Sequence, residues 1–159
     1  MTMGLIELKS LWADKFRMPT IDQLRQQVAK PLLPVFDDAR ATLNELDGVS
    51  ETLQWQGVPW RWTLVYRFGG ETDSSGAKAV AYLIPDPQRI QICVPLSGEQ
   101  IETCGVKKLK RPIRDGVLHS RSVAGVWWPT WDLPSKSALD EVLELVERKH
   151  KNLAVAIGA

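Results

Sequence analysis

The chain has 159 residues, enough for one compact domain that buries about 70% of the surface its unfolded form would expose. Hydrophobic residues make up 44% and charged residues 25% of the chain, as in ordinary soluble globular domains. The net charge of +1 excludes a global attraction to nucleic acid or acidic membranes, so any charged site must be local. The main bias is toward tryptophan: there are seven Trp against two Tyr and three Phe.

The cysteines and the first residues bear on the cellular compartment. Cys93 and Cys104 match neither a Cys-x-x-Cys pair nor a dense disulfide framework, which favours free thiols in a reducing cytoplasm. Glu7 and Lys9 interrupt the apolar core that a signal peptide needs, and no apolar run approaches the ~18 residues of a membrane span. We therefore expect a cytoplasmic protein with no membrane segment.

Residues 1–19 are interpreted as an N-terminal arm, and residues 20–153 as a single α+β domain. Neither repeats nor a linker divide the domain. Its first helix is predicted from the capping-box pair Thr20 and Gln23, and the apolar spacing that follows ends at Pro31.

Two further helices each carry one apolar stripe. The first is predicted to begin near Pro34 and to end before Gly48, with its stripe at Phe36, Ala39, Leu43 and Leu46. The last begins at Ser135 or Ser137, with its stripe at Leu139, Val142, Leu143 and Val146. A single stripe predicts that each helix packs against one face of a sheet.

The segment 55–68 contains the longest two-residue alternation in the chain, and the rest of the domain is expected to be organised around it. After a turn predicted at residues 57–59, the strand in this segment would place one largely aromatic set on the same face: Trp60, Trp62, Leu64, Tyr66 and Phe68. The opposite face would carry Arg61, Thr63, Val65 and Arg67.

Short loops connect most of the other predicted strands, at residues 51–56, 78–84, 89–94 and 126–132. Residues 69–76 are predicted to be a hairpin loop, and Pro129 places the last strand at an edge or a bulge. The pattern is weak over residues 95–122, where short helical turns are expected after Ser97 and near Pro112. The predicted fold is α+β: an antiparallel sheet of four or five strands, with N-terminal and C-terminal helices packed across one face.

Several of these segments resemble a family of small bacterial proteins known only as domain of unknown function 3788. The matching motifs are Trp-x-Gly at Trp55 and Gly57, Trp-x-Leu-x-Tyr at Trp62, Leu64 and Tyr66, Tyr-Leu-x-Pro at Tyr82, Leu83 and Pro85, Gly-x-Trp at Gly125 and Trp127, and the helix-ending Lys149. Arg61 stands where the family pattern has glycine. The resemblance covers about residues 36–152 and implies an α+β fold with no established activity.

The architecture is more distantly similar to that of frataxin-like proteins, some of which handle iron through an acidic helix ridge. The corresponding helix of this chain carries Asp37, Asp38, Glu45 and Asp47, with Arg40 among them. This resemblance implies iron handling as one alternative function.

The tryptophans are the leading candidate site. Indole walls and an arginine would suit a flat ligand with an anionic group. The candidate residues are Trp60, Trp62, Arg67, Trp127 and Trp131, and the wider set also includes Trp128 and, as an alternative anchor, Arg61. The competing interpretation is that these indoles are core packing. Trp127 and its neighbour Trp128 would point to opposite faces of a strand, so at least one of them should lie off the core face or at a sheet edge.

A dense cationic run is the candidate nucleic-acid contact, formed by Lys107, Lys108, Lys110, Arg111 and Arg114, with Arg121 beyond it. The run contains no aromatic residue for base stacking, which favours a solvated face instead.

No catalytic, cofactor or metal signature accompanies these candidates. Cys104 and His119 are far apart in the chain, and no second histidine has metal-ligand spacing. The expected function is therefore non-enzymatic binding of a small molecule or protein partner at a Trp-lined cleft. The alternatives are nucleic-acid binding through residues 107–121 and iron handling, and the oligomeric state stays open.

Overall fold

A computed structural model describes residues 11–69 and 79–158, with the side chains described up to residue 155. Its helices are α1 Ile21–Gln27, α2 Leu33–Glu45, α3 Gly98–Thr103, α4 Arg111–Leu118 and α5 Lys136–Gly158. Its strands are β1 Val49–Trp55, β2 Trp62–Phe68, β3 Ala79–Asp86, β4 Arg89–Cys93, β5 Leu96–Ser97, β6 Ser122–Val123, β7 Val126–Trp127 and β8 Thr130–Asp132. Most of the N-terminal arm and of the loop predicted at 69–76 lies outside the described residues.

The main sheet has five strands in the order β1-β2-β3-β4-β8, and every neighbouring pair is antiparallel. This confirms the predicted α+β fold with an antiparallel sheet. Strands β1 to β4 are neighbours in sequence as well as in space, as short hairpin connections require. None of the helices in the described ranges is long and apolar enough to cross a bilayer.

Helices α2 and α5 cover one face of this sheet, and the main core lies between them and the strands. The stripes predicted for these helices are largely buried there, at Phe36, Ala39, Leu43, Leu139, Val142, Leu143 and Val146. Each large side chain of such a stripe contributes roughly 1.5 to 3 kcal/mol when it leaves water. The two helices therefore hold the sheet on this side.

Side-chain caps begin helices α1 and α3. At α1 the Gln23 backbone N–H donates to the Thr20 hydroxyl over 3.1 Å, and the Thr20 N–H donates to the Gln23 amide over 2.9 Å. Ser97 and Gln100 repeat this reciprocal arrangement at α3. These caps set where the two helices begin.

The strand predicted to follow the turn at residues 57–59 begins later than expected. Arg61 has a φ of 60°, in the left-handed region, and β2 begins only after it at Trp62. The left-handed residue breaks the two-residue alternation, and the Trp60 ring packs against Tyr82, whose strand partner Val65 faces away from Trp62. Trp60 also touches the cluster around Trp62. The prediction that these two indoles share a face was wrong for this reason.

The segment predicted as a last strand at 126–132 is also divided. Val126 and Trp127 form β7 in a second, three-stranded sheet of order β5-β7-β6, whereas Thr130–Asp132 joins the main sheet as β8. Pro129 lies at the break, since it lacks the N–H that a continuous ladder needs. Between β6 and β7, Ala124 and Gly125 have positive φ angles of 52° and 80°, the pattern of a two-residue type I′ turn.

A candidate aromatic binding groove

Three aromatic rings meet on the sheet face away from α2 and α5. The Trp60 ring centroid lies 5.3 Å from that of Tyr82 and 6.2 Å from that of Trp128. The Tyr82 and Trp128 centroids are 5.8 Å apart. Tyr82 is buried on β3, and both indoles are half-buried. Tyr82 thus forms a floor, and the two indoles remain partly accessible above it.

Two loops bring these indoles together. The loop from β1 to β2 is closed where the Gln56 N–H donates to the Arg61 carbonyl over 2.8 Å, and it carries Trp60. The backbone N–H of Trp128 donates to the backbone carbonyl of Arg121 over 3.0 Å, which extends the β6–β7 pairing by one residue. Each indole therefore sits on a backbone held by hydrogen bonds.

The indoles line a surface groove of about 610 Å³, which we call the Trp60–Trp128 groove. Its described lining residues are Gln56, Val58, Pro59, Trp60, Arg121, Val123, Trp128 and Thr130. Val58 and Val123 are 75% and 54% exposed, although both are apolar. Small-molecule sites are typically concave, about 300 to 1,000 Å³ in volume and mostly apolar with a few polar groups. The volume of the groove lies in this range, and its lining combines apolar side chains with a few polar ones.

The indole N–H groups of the two groove tryptophans differ from those of Trp62 and Trp131. The Trp62 N–H donates to the Asp14 carbonyl over 2.7 Å, and the Trp131 N–H donates to the Pro112 carbonyl over 3.3 Å. Within residues 11–69 and 79–158, the indole N–H groups of Trp60 and Trp128 have no such acceptor, and the same is true of Trp55 and Trp127 outside the groove. A buried indole normally finds a partner for its N–H, so the two N–H groups in the groove are left for water or a ligand.

The other predicted cleft residues lie elsewhere. Trp62 is only 7% exposed and packs in a cluster with Trp12, Leu24 and Ile84. Trp131 packs against the main core beneath α4. Neither indole lines the groove with Trp60.

Trp127 and Arg67 also lie outside the groove. The Trp127 ring faces Gly98 at the beginning of α3, as its place on β7 opposite Leu96 requires. The Arg67 guanidinium donates to the Gln54 amide oxygen over 3.2 Å across β1 and β2. The arginine beside the groove is Arg121 instead.

Trp128 belonged only to the wider predicted set of tryptophans, and Arg121 was assigned to the basic run instead of the cleft. Adjacent tryptophans on a strand face opposite ways, so Trp127 against α3 leaves Trp128 on the other side. No local pattern distinguished Arg121 from the basic run that precedes it.

The basic run itself is partly neutralised. Lys110 lies 3.9 Å from a Glu141 oxygen, and Arg111 and Arg114 lie 3.3 and 3.6 Å from Asp115 oxygens. Lys107 and Lys108 are exposed on a 3₁₀ turn. Because three of these five basic side chains lie near carboxylates, fewer of their charges are available to phosphates than the sequence suggests. Nucleic-acid binding by this run stays a prediction.

Two of the four acidic residues predicted to form an iron-binding ridge, Asp37 and Asp38, are paired with basic side chains. Asp37 forms a two-point ion pair with Arg25 at 2.8 Å, which lowers the pKa of that carboxyl. Asp38 lies 3.3 Å from the amine of Lys136. Across the described parts of the chain, no three His, Cys, Asp or Glu side chains are grouped to hold one metal ion. Iron handling thus gains no support from these residues.

The thiols and one lysine are buried instead of displayed. Burial raises the pKa of Cys93 to about 12, and burial also raises the pKa of Cys104, so both thiols stay protonated at neutral pH. Lys149 is 0% exposed, and its amine donates to the carbonyls of Ala79 and Pro95. Burial lowers the pKa of Lys149 to about 7. A protonated, buried thiol is a poor nucleophile, so neither cysteine is suited to covalent catalysis.

No family model, curated protein or solved structure matches this chain. The resemblances to domain of unknown function 3788 and to frataxin-like proteins therefore stay predictions.

Proposed function

We propose that the chain is a non-enzymatic binding protein that takes a flat, apolar small molecule in the Trp60–Trp128 groove. The observation that carries the proposal is the pair of half-buried indoles on one groove, both with unpaired N–H groups among the described residues. Indole faces offer a large rigid surface for stacking, and they lose little conformational entropy on binding.

The apolar rim supports the same proposal. Val58 and Val123 line the groove and keep aliphatic surface exposed to water. A ligand that covers this surface gains roughly 25 cal/mol for each Å² of apolar area removed from water. Binding needs only such surface and a few polar groups, which the groove supplies without any nucleophile or metal.

The test is a titration with a neutral aromatic probe, 2-naphthalenemethanol, followed by the ¹⁵N resonances of the indole N–H groups. We expect shifts confined to Trp60 and Trp128, and about tenfold weaker binding in Trp128→Ala, because one stacking surface is lost. The matched control is Trp127→Ala, which removes a half-buried indole outside the groove. Equal weakening by both variants, or shifts centred on other indoles, would contradict the proposal.

A further inference from the structure

The Trp60–Trp128 groove carries one charged side chain among its described lining residues, and that side chain is Arg121. We propose that the groove selects an anionic ligand, a small aromatic carboxylate, whose carboxylate binds the Arg121 guanidinium while its ring contacts Trp60 and Trp128. This inference rests on the proposed function and adds the chemical class of the ligand.

Arg121 differs from most arginines of the chain in having no acidic partner. The ion-paired arginines are Arg25, Arg40, Arg89, Arg111, Arg114 and Arg148. In the parts of the chain that the structure describes, Arg121 makes no ion pair, and its side chain is exposed. Its charge is therefore available to a ligand.

The groove does not cancel this charge. Apart from Arg121, its described polar side chains are the neutral Gln56 and Thr130, and no carboxylate is among them. The available hydrogen-bonding groups are mostly donors, since a guanidinium and an indole N–H cannot accept. Such a set favours a carboxylate, which only accepts hydrogen bonds. An ammonium group would find only the Gln56 amide oxygen and the Thr130 hydroxyl as side-chain acceptors among the described lining residues, and it would be repelled by the Arg121 charge.

The position of Arg121 also sets the distance between the ligand's charge and its ring. Arg121 lies opposite Trp128 in the extended β6–β7 ladder, as the 3.0 Å hydrogen bond between their backbones shows. Side chains directly opposite each other on antiparallel strands begin about 4.5 to 5.5 Å apart, on the same face. A carboxylate on Arg121 would thus place an attached aromatic ring beside the Trp128 indole.

The experiment compares three naphthalene probes that differ in charge: 2-naphthoate, 2-naphthalenemethanol and protonated 2-naphthylmethylamine. Dissociation constants come from the indole ¹⁵N resonances at pH 7.5 and fixed ionic strength. We expect 2-naphthoate to bind about tenfold more tightly than the amine, since a charge-assisted hydrogen bond favours only the anion. In Arg121→Gln this preference should fall below about twofold.

Lys107→Gln is the matched control, because it removes the same charge from an exposed site outside the groove. The tenfold preference should persist in that variant. Equal affinities of the anion and the amine for the natural chain, or a preference that survives Arg121→Gln, would overturn the anion assignment while leaving the proposed function intact. If none of the three probes shifts the Trp60 and Trp128 resonances, the proposed function fails as well.

Discussion

The tryptophans on the two faces of the main sheet have contrasting surroundings. On one side, Trp131 packs against the core. Trp62, the first residue of β2, is buried among its neighbours. The chain's own backbone accepts both of their N–H groups. On the other side, Trp60 and Trp128 are half-buried around Tyr82, with no acceptor among the described residues.

The comparison shows that burial alone does not separate a structural indole from a binding one. An indole fully used by its own fold has both its surface packed and its donor satisfied, because an unmet buried donor costs free energy. Trp60 and Trp128 leave both requirements partly open. We infer that their remaining surface and donors are what a ligand would use.

The largest expected effect tests the structural side of this comparison. Trp62→Ala should lower the free energy of unfolding by about 3 to 5 kcal/mol, because it empties a packed site and removes the bond to the Asp14 carbonyl. Trp128→Ala should cost less than about 2 kcal/mol, since only part of that side chain is buried. Urea unfolding at neutral pH measures both. Equal costs would show that Trp128 is as structural as Trp62.

A second prediction concerns the close packing of Trp131. A Cβ added at Gly116 would lie 2.4 Å from the Trp131 indole nitrogen and within 2.9 Å of two ring carbons. Although alanine favours a helix over glycine, Gly116→Ala should destabilise the protein by about 1 to 3 kcal/mol through this overlap.

Gly98→Ala is the matched control, because Gly98 also faces a tryptophan ring. The added Cβ would lie 3.6 Å from the Trp127 ring, which is an ordinary van der Waals contact. Thermal unfolding should show little or no loss of stability for this variant. A stabilising Gly116→Ala would mean that the Trp131 indole can move aside. Trp131 would then be less tightly packed than we infer, and more similar to Trp60 and Trp128.

A smaller effect is expected from pH. It should change the free energy of unfolding through the buried Lys149, but not ligand binding in the groove. Burial lowers the pKa of Lys149 from its usual 10.5 to about 7 in the folded chain. Between these two pH values, Lys149 is therefore protonated in the unfolded chain and mostly neutral in the folded chain. Stability should therefore rise with pH by up to about 2 kcal/mol between pH 7 and 8.5. Cys93 and Cys104, which influence Lys149, have raised pKa values and oppose this trend above about pH 9.

Urea unfolding across this range checks the prediction, with Lys149→Met as the comparison. That variant should lose most of the slope, because methionine does not titrate. The affinity of the groove for 2-naphthalenemethanol should stay unchanged from pH 7 to 8.5. A natural chain whose stability is flat over this range would contradict the assignment of a neutral amine to Lys149.

Local patterns predicted much of the fold. Thr20 with Gln23 marked a helix start because a capping box satisfies its donors within three residues of sequence. The apolar stripes of α2 and α5 predicted their buried faces, because helical periodicity follows from backbone geometry alone. Strands β1 to β4 were likewise predicted, within a few residues at their ends.

The groove could not be predicted in this way, because it depends on where the backbone departs from regular geometry. The left-handed conformation of Arg61 turns Trp60 away from the face of Trp62. Arginine has no preference for this conformation, so nothing in the sequence predicted it. Pro129 signalled an edge or a bulge, but the division of residues 126–132 between two sheets follows from partners distant in sequence.

By itself the sequence determined the fold class, the helices with their buried stripes and the four consecutive strands, since each depends on interactions between near neighbours. Only the tertiary structure decided which indoles meet. Trp60, Tyr82 and Trp128 come from three separate segments, and their contact requires the sheet, the β6–β7 hairpin and the loop before β2 to be in place together. Arg121 reaches the groove for the same reason, through strand pairing that no local spacing records.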